Sequence, residues 1–334
     1  MAVTEVPTPQ AGPGELVLQV KAAMICGTDI RIYRGKKTKG VRLPSIIGHE
    51  FSGGIVDVGP GLRGFAVGDR VSVEPVIPCH NCAYCKIGME NVCANRKAIG
   101  YEFDGAFAEY IRIPATAVAG GHVYKFPEGL AWEQAALAEP LGCCLNGQEK
   151  ARVGLGDAVV ILGAGPIGLM HVQLAKAAGA RHVLVSEPVH HRRKMALELG
   201  ADSVVDPRAD DLAAAVKAIT DSVGADAVIL AIGVPALANQ ALSLARKGGR
   251  VNLFAGFSVG DMPPMDVNLI HYNELLVTGT SALARHHYEK ALRLIESGVV
   301  NVSSLVSHRF PLEQIDEAFA AAEGGLGIKV AVTP

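Results

Sequence analysis

The stretch Ala-Val-Val-Ile-Leu-Gly-Ala-Gly-Pro-Ile-Gly at residues 158–168 decides the fold. Its first five residues are apolar and mostly β-branched, which predicts a buried strand. Behind them comes Gly163-Ala164-Gly165-Pro166-Ile167-Gly168, with the proline where it opens a helix. Between a strand and a helix, a G-x-G-x-x-G turn is a dinucleotide site. Gly163 makes the tight turn, Gly165 lets a pyrophosphate reach the backbone, and Gly168 lets helix and strand pack closely. The helix start adds unpaired N–H groups and the positive end of its dipole. Glu187 closes the next apolar run, HVLVS, where a carboxylate accepts hydrogen bonds from the adenosine ribose and favours NAD over NADP. Arg192 and Arg193 complicate that choice, because an arginine near the ribose accommodates a 2′-phosphate, stacks on adenine, or is simply solvated.

Outward from this motif the same alternation continues. AVVIL is followed by a helix-length segment at 166–179, HVLVS by 189–200 and DAVILAI by 235–247, and RVNLFAG ends the series. Strand and helix in alternation predict βαβ units and a doubly wound parallel sheet. Before residue 118 the runs are short and rich in Val and Ile, as in LVLQV (16–20), GGIVDVG (53–59) and DRVSV (69–73), which predicts a mostly β unit. After Gly279 come amphipathic segments near 286–297 and 312–323 and a last strand at 328–332. The fold class is therefore α/β, a Rossmann-type cofactor domain at 141–281 beside a mostly β domain built from 1–140 and 282–334.

At 334 residues the chain is long enough for about two domains, each with its own core. Its 31 basic and 33 acidic side chains leave a net charge of -2, so no basic field exists to hold nucleic acid or anionic lipid. Residues 1–14 carry no signal-like pattern, and the longest apolar stretch, 158–170, is interrupted by glycines and too short to span a bilayer. A cytoplasmic protein is expected. Four of the seven cysteines fall between Cys79 and Cys93, which suggests metal ligands rather than disulfides.

Cys79, Cys82, Cys85 and Cys93 form C-x2-C-x2-C-x7-C, with Pro78 and Gly88 supplying turns. Four soft ligands on one short lobe, 78–95, suit a closed tetrahedral zinc site. An iron–sulfur cluster is the alternative, since the first three spacings match a ferredoxin run, but the fourth cysteine is too distant and no proline follows it. Elsewhere, Cys26-Gly27-Thr28-Asp29 and Gly48-His49-Glu50 set a thiol and an imidazole beside carboxylates. Singly, each reads as a small buried hydrophobe or a hydrogen-bonded histidine. Their company with the other two motifs turns the reading toward chemistry.

Gly48-His49-Glu50, then Gly53, Gly59, Gly61 and Gly68-Asp69-Arg70-Val71, the cysteine lobe, Glu139-Pro140-Leu141 and Gly163 to Gly168 together resemble the zinc-containing medium-chain alcohol dehydrogenases. The resemblance runs over essentially the whole chain and is nearest the polyol (sorbitol-type) and L-threonine dehydrogenase branch. It implies a GroES-like catalytic domain and two zinc ions per chain. The catalytic zinc would sit on Cys26 and His49 with Glu50 or Glu139, and the structural one on the cysteine lobe. It further implies that Thr28 bonds the substrate hydroxyl, that Asp29 holds His49, and that hydride passes from a secondary alcohol to NAD. L-threonine 3-dehydrogenase, a zinc-free quinone reductase and a noncatalytic NAD-binding protein of the same fold are the competing functions. A homodimer or homotetramer is implied, paired through the sheet edge where RVNLFAG and 275–278 would lie.

Two departures stand out. Where many members carry a relay histidine, this chain has Arg31, which does not titrate near neutrality and is expected instead near an anionic group of cofactor or substrate. The start is also shorter than the family pattern by roughly one strand. Cys143 and Cys144 read as helix core, His286 and His287 carry no assignment, and Lys329 reads either as facing pyrophosphate or as a solvated face.

Overall fold

The computed structural model describes residues 1–258, 260–325 and 327–334. It forms two compact units, one of Met1–Gly142, Ala282–Gly298 and Val302–Pro334, the other of Cys143–Ser281 and Val299–Asn301.

The first unit is mostly β. It opens with β1 (Leu16–Met24), β2 (Glu50–Val58), β3 (Arg70–Val73), the short pair β4 (Val76–Ile77) and β5 (Lys97–Ala98), β6 (Tyr110–Ile113) and β7 (Val123–Lys125). In the second unit, β8 (Ala158–Leu162), β9 (His182–Ser186), β10 (Ser203–Val205), β11 (Ala225–Leu230), β12 (Ala245–Leu253) and β13 (Leu276–Gly279) follow. The chain then returns to the first unit for β14 (Val306–Pro311) and β15 (Lys329–Thr333). The first sheet runs β14-β15-β1-β2-β3-β7, with β6 also on β1; the second runs β10-β9-β8-β11-β12-β13, all parallel.

Both sheets follow from their side chains. β8 is buried at every position, as a central parallel strand covered on both faces requires. β1 is buried except near Gln19 and Lys21, because it lies inside its sheet. The first core gathers Leu16, Leu18, Phe51, Ile55, Val71 and Ile111 with Phe319 and Val330; the second gathers Val160, Leu184, Val228, Leu242 and Val251.

Three details differ from expectation. The helix expected at 235–247 is Ala236–Leu244, and β12 begins at once, because Ala245 turns extended (ψ 142°) and pairs with Ala225 of β11. RVNLFAG lies one strand inside the sheet, leaving β13 at the edge. β14, unforeseen, pairs parallel to β15. Of its residues only Val306 is buried, and the polar Ser307, His308 and Arg309 give it the composition of a loop. Among the described residues no helix is long and apolar enough to cross a membrane.

Candidate active site

A helix of seven residues, Gly27–Tyr33, starts the site. Cys26 is its N-cap, and the Asp29 carboxylate folds back on it: Oδ2 accepts the Cys26 backbone N–H at 2.9 Å. The other oxygen, Oδ1, meets His49 Nδ1 at 3.1 Å. One buried carboxylate thus fixes the start of the helix and the orientation of the imidazole, leaving Nε2 as the second ring nitrogen. His49 lies just before β2, and Gly48 precedes it at φ 102°, a left-handed conformation suited to glycine. A Cβ on Gly105 would lie 2.3 Å from the Gly48 carbonyl oxygen, so the lack of a side chain at Gly105 lets these two backbones meet.

Cys26, His49 and Glu50 each offer a donor atom within 4.8 Å of the others. Thiolate, imidazole and carboxylate together are a donor set that fits zinc. Burial works against a charged His49, but Tyr101, Asp29 and Cys26 outweigh it and hold the imidazole well above its usual range. The Tyr101 ring stands 5.4 Å from that of His49, and burial raises its phenol above the ordinary tyrosine range.

Glu50 has a second partner that sequence reading missed. Lys329 Nζ lies 2.8 Å from its Oε1 and 2.6 Å from its Oε2, with both side chains buried. Burial disfavours the ammonium, yet Glu50 and then Cys26 raise it above the usual lysine range. Lys329 is therefore neither a solvated face nor, within this unit, turned outward. Glu139, on the helix Ala138–Ala151, is buried and acts electrostatically on Tyr101 and Lys329, outside the three-residue donor group. Thr28 Oγ1 accepts from Arg31 Nη2 at 3.0 Å.

The four cysteines of the lobe also converge. Cys82 Sγ lies 3.5 Å from Cys85 Sγ and 3.8 Å from Cys93 Sγ, and Cys93 Sγ lies 3.4 Å from Cys79 Sγ. A tetrahedron with zinc–sulfur bonds of about 2.3 Å has edges of about 3.8 Å, whereas a disulfide would bring sulfurs to about 2.05 Å. None of the four lobe cysteines is in a disulfide. Backbone N–H groups of Cys79 and Asn95 donate to Cys93 Sγ at 3.2 and 3.3 Å, polarisation that suits thiolate ligands. Backbone hydrogen bonds lower the thiols of Cys79 and Cys82.

In the second unit, Gly163 has φ 101°, and a Cβ on Gly168 would sit 1.9 Å from its carbonyl oxygen. A Cβ on Gly165 would meet nothing within 4 Å, so this position faces open space at the start of the helix Pro166–Ala177. That is the cradle a pyrophosphate needs. Pro166 and Ile167 form its first turn. Glu187 is buried; its Oε2 accepts the Ala164 N–H at 2.7 Å and its Oε1 that of Val189 at 2.9 Å. Arg193 donates to the Glu187 carbonyl at 2.7 Å and pairs with Asp206 at 3.0 Å, so it braces the turn. Arg192 is half-buried in the same turn.

Comparison with known proteins agrees with this geometry. Residues 12–127 match the alcohol dehydrogenase GroES-like domain, and residues 166–297 match the zinc-binding dehydrogenase family. The chain is 39% identical to L-threonine 3-dehydrogenase of Pyrococcus furiosus, over 98% of this chain and 93% of that one. It is 36% identical to sorbitol dehydrogenase of Halalkalibacterium halodurans, over 100% and 95%. A zinc-binding dehydrogenase of Sinorhizobium meliloti, solved bound to NADP, superposes with a TM-score of 0.92 at 34% identity, over 100% of this chain and 96% of that one. The chain belongs to the zinc-containing medium-chain alcohol dehydrogenases. It is a nicotinamide-dependent zinc dehydrogenase of small-molecule alcohols.

Proposed function

We propose that the enzyme oxidises a secondary alcohol of a polyol, sugar alcohol or related hydroxy compound to the ketone, with NAD as hydride acceptor and two zinc ions per chain. The observation that carries this reading is the convergence of Cys26, His49 and Glu50 beside Asp29. Cys26 and His49 hold the catalytic zinc with Glu50, or with Glu139 in its place. Bound there, zinc supplies Lewis acidity that makes an alcohol hydroxyl a much stronger acid. Asp29 keeps the His49 tautomer and angle constant. Thr28 takes the hydroxyl proton on a lone pair and passes its own onward, while Arg31 occupies its other lone pair. A guanidinium is no acceptor for it, so the proton goes to solvent. NAD⁺, held by the glycine turn, would supply the hydride acceptor, so that alcohol and NAD⁺ would become ketone, NADH and a proton.

The division of labour we infer places zinc chemistry in 1–140 and 282–334, with the structural zinc in the lobe, and dinucleotide binding in 141–281. Gly163, Gly165, Pro166, Ile167, Gly168, Glu187 and Arg192 form the latter site. The acidic Glu187 supports NAD, although the Sinorhizobium meliloti relative was solved with NADP. The enzyme works in the cytoplasm as a homodimer or homotetramer, for which the exposed edge at β13 supplies a pairing surface.

Similarity to the Pyrococcus furiosus enzyme favours a second reading, L-threonine 3-dehydrogenase. Elemental analysis followed by an assay panel tests both. The expected result is about two zincs per chain, no visible chromophore, and reduction of NAD in preference to NADP by a polyol. Turnover of L-threonine alone would select the second reading. Undiminished activity after zinc removal would overturn both, and a lack of any dehydrogenase activity would leave a noncatalytic binding protein.

A further inference from the structure

We infer that the alcohol carries an anionic group, a phosphate monoester or a carboxylate, held by Arg31, Lys37 and Arg96. This rests on the alcohol oxidation proposed above and narrows its substrate class.

The run Arg31-Ile-Tyr-Arg-Gly-Lys-Lys-Thr-Lys-Gly-Val-Arg42 holds six basic residues in twelve and no acid. The fold sorts these charges. Arg34 is neutralised by Glu323 and Arg42 by Asp104. Arg31, Lys37 and Arg96 are not: among the described residues no carboxylate lies within 4.0 Å of any of them. Arg31 donates to Thr28 Oγ1, Arg96 Nη1 to the Asn91 carbonyl at 2.8 Å, and Lys37 Nζ only to the Lys39 carbonyl at 3.4 Å, so each keeps donors unspent.

Position is the second observation. Lys37 Nζ lies 4.9 Å from the centre of the Tyr101 ring, and the same ring stands 5.4 Å from that of His49. Both groups therefore lie against one aromatic ring, which puts the ammonium no more than roughly 10 Å from the centre of the metal-binding imidazole. The backbone ties the cations together, since Lys36 N and Lys37 N both donate to the Arg31 carbonyl, at 2.8 and 3.1 Å. Like charge is concentrated rather than dispersed. Burial first, then Arg96 and Arg31, push Lys37 below the ordinary lysine range, with Glu102 offsetting part of this and Lys39 adding to it. A bound anion would relieve that repulsion.

The test uses the zinc-loaded enzyme with D-arabitol phosphate, D-gluconate and uncharged D-arabitol as probes, reading both kcat/KM with NAD and direct binding by calorimetry. The expected result is at least a tenfold preference for one of the charged probes, weakening with ionic strength, and at least a tenfold loss of that preference in Lys37→Gln. Lys37→Arg should restore most of it, which separates charge recognition from a folding defect. Preference for the phosphate or for the carboxylate identifies the source of the charge. Equal binding of charged and uncharged probes, or a Lys37→Gln defect confined to NADH affinity, would overturn the inference. Oxidation of D-arabitol without charge preference would overturn it while leaving the proposed reaction intact; absence of any alcohol oxidation would instead remove the reaction, and calorimetry would still decide the charge selection.

Discussion

Lys329, on the last strand, neutralises Glu50, on the second, through contacts of 2.8 and 2.6 Å inside the protein. A buried pair of this kind is costly to break from one side, because the remaining charge is left without water or partner. Lys329→Met is expected to destabilise the protein by about 3–5 kcal/mol. Adding Glu50→Gln to it should recover most of the loss. Urea unfolding of the single and double variants checks this; additive losses would mean that the two residues are not coupled.

Asp29 touches both the Cys26 backbone and the His49 ring. Asp29→Asn keeps the shape but weakens both contacts. The expected effect is a loss of about 10–100-fold in affinity for one of the two zinc ions, with the cysteine lobe still loaded. Competition with a chromogenic chelator measures it, and two equally retained zincs would contradict the role assigned to Asp29.

At Gly168 a methyl group would collide with the Gly163 carbonyl oxygen at 1.9 Å. Gly168→Ala must therefore part the helix from the turn it abuts. NADH affinity should fall by about tenfold or more, about 1.4 kcal/mol, as read by fluorescence titration. Unchanged affinity would show that the turn does not hold the dinucleotide.

His171 is buried, with its Nδ1 3.2 Å from Gln148 Nε2 and its ring against Phe254. Burial pulls its imidazole down to about 3. In the unfolded chain it titrates near 6.5, so below that pH the unfolded state takes up a proton that the folded state refuses. The stabilisation is complete above about pH 6.5 and is lost as pH falls toward 3, at about 1.4 kcal/mol per pH unit. Between pH 7.5 and 5, His171→Leu should lose about 2 kcal/mol less stability than the parent. Parallel pH profiles for the two proteins would refute this.

What the sequence made legible was local. The four cysteines lie within one lobe and the glycine turn within six residues, so spacing alone conveys their geometry. Cys26 and His49 are farther apart, yet each sits in a short polar motif that composition marks as unlike core. Lys329 and Glu50 are separated by 279 residues, and no periodicity links them. The segment 101–107 reads in the sequence as a pocket loop, but its path, which turns at Gly100 with φ 81° and sets the Tyr101 ring 5.4 Å from that of His49, is not given by spacing. The strand β14 escaped notice because an edge strand needs few apolar residues, and VSHRFP has few.

The placement of β15 has a consequence for synthesis. This strand pairs with β1 at Ala23–Val332 and Met24–Ala331, so the first sheet joins segments that lie far apart in the sequence. On the ribosome, β1 through β7 emerge early but stay open along the side that β15 will cover. The entire dinucleotide unit is made in the interval and can fold by itself from contacts nearer in sequence. Until the last strand is released, Glu50 has no countercharge and the β1 edge is a site for wrong pairing. The metal-binding unit thus completes its sheet only after the segment that forms the dinucleotide unit has been made.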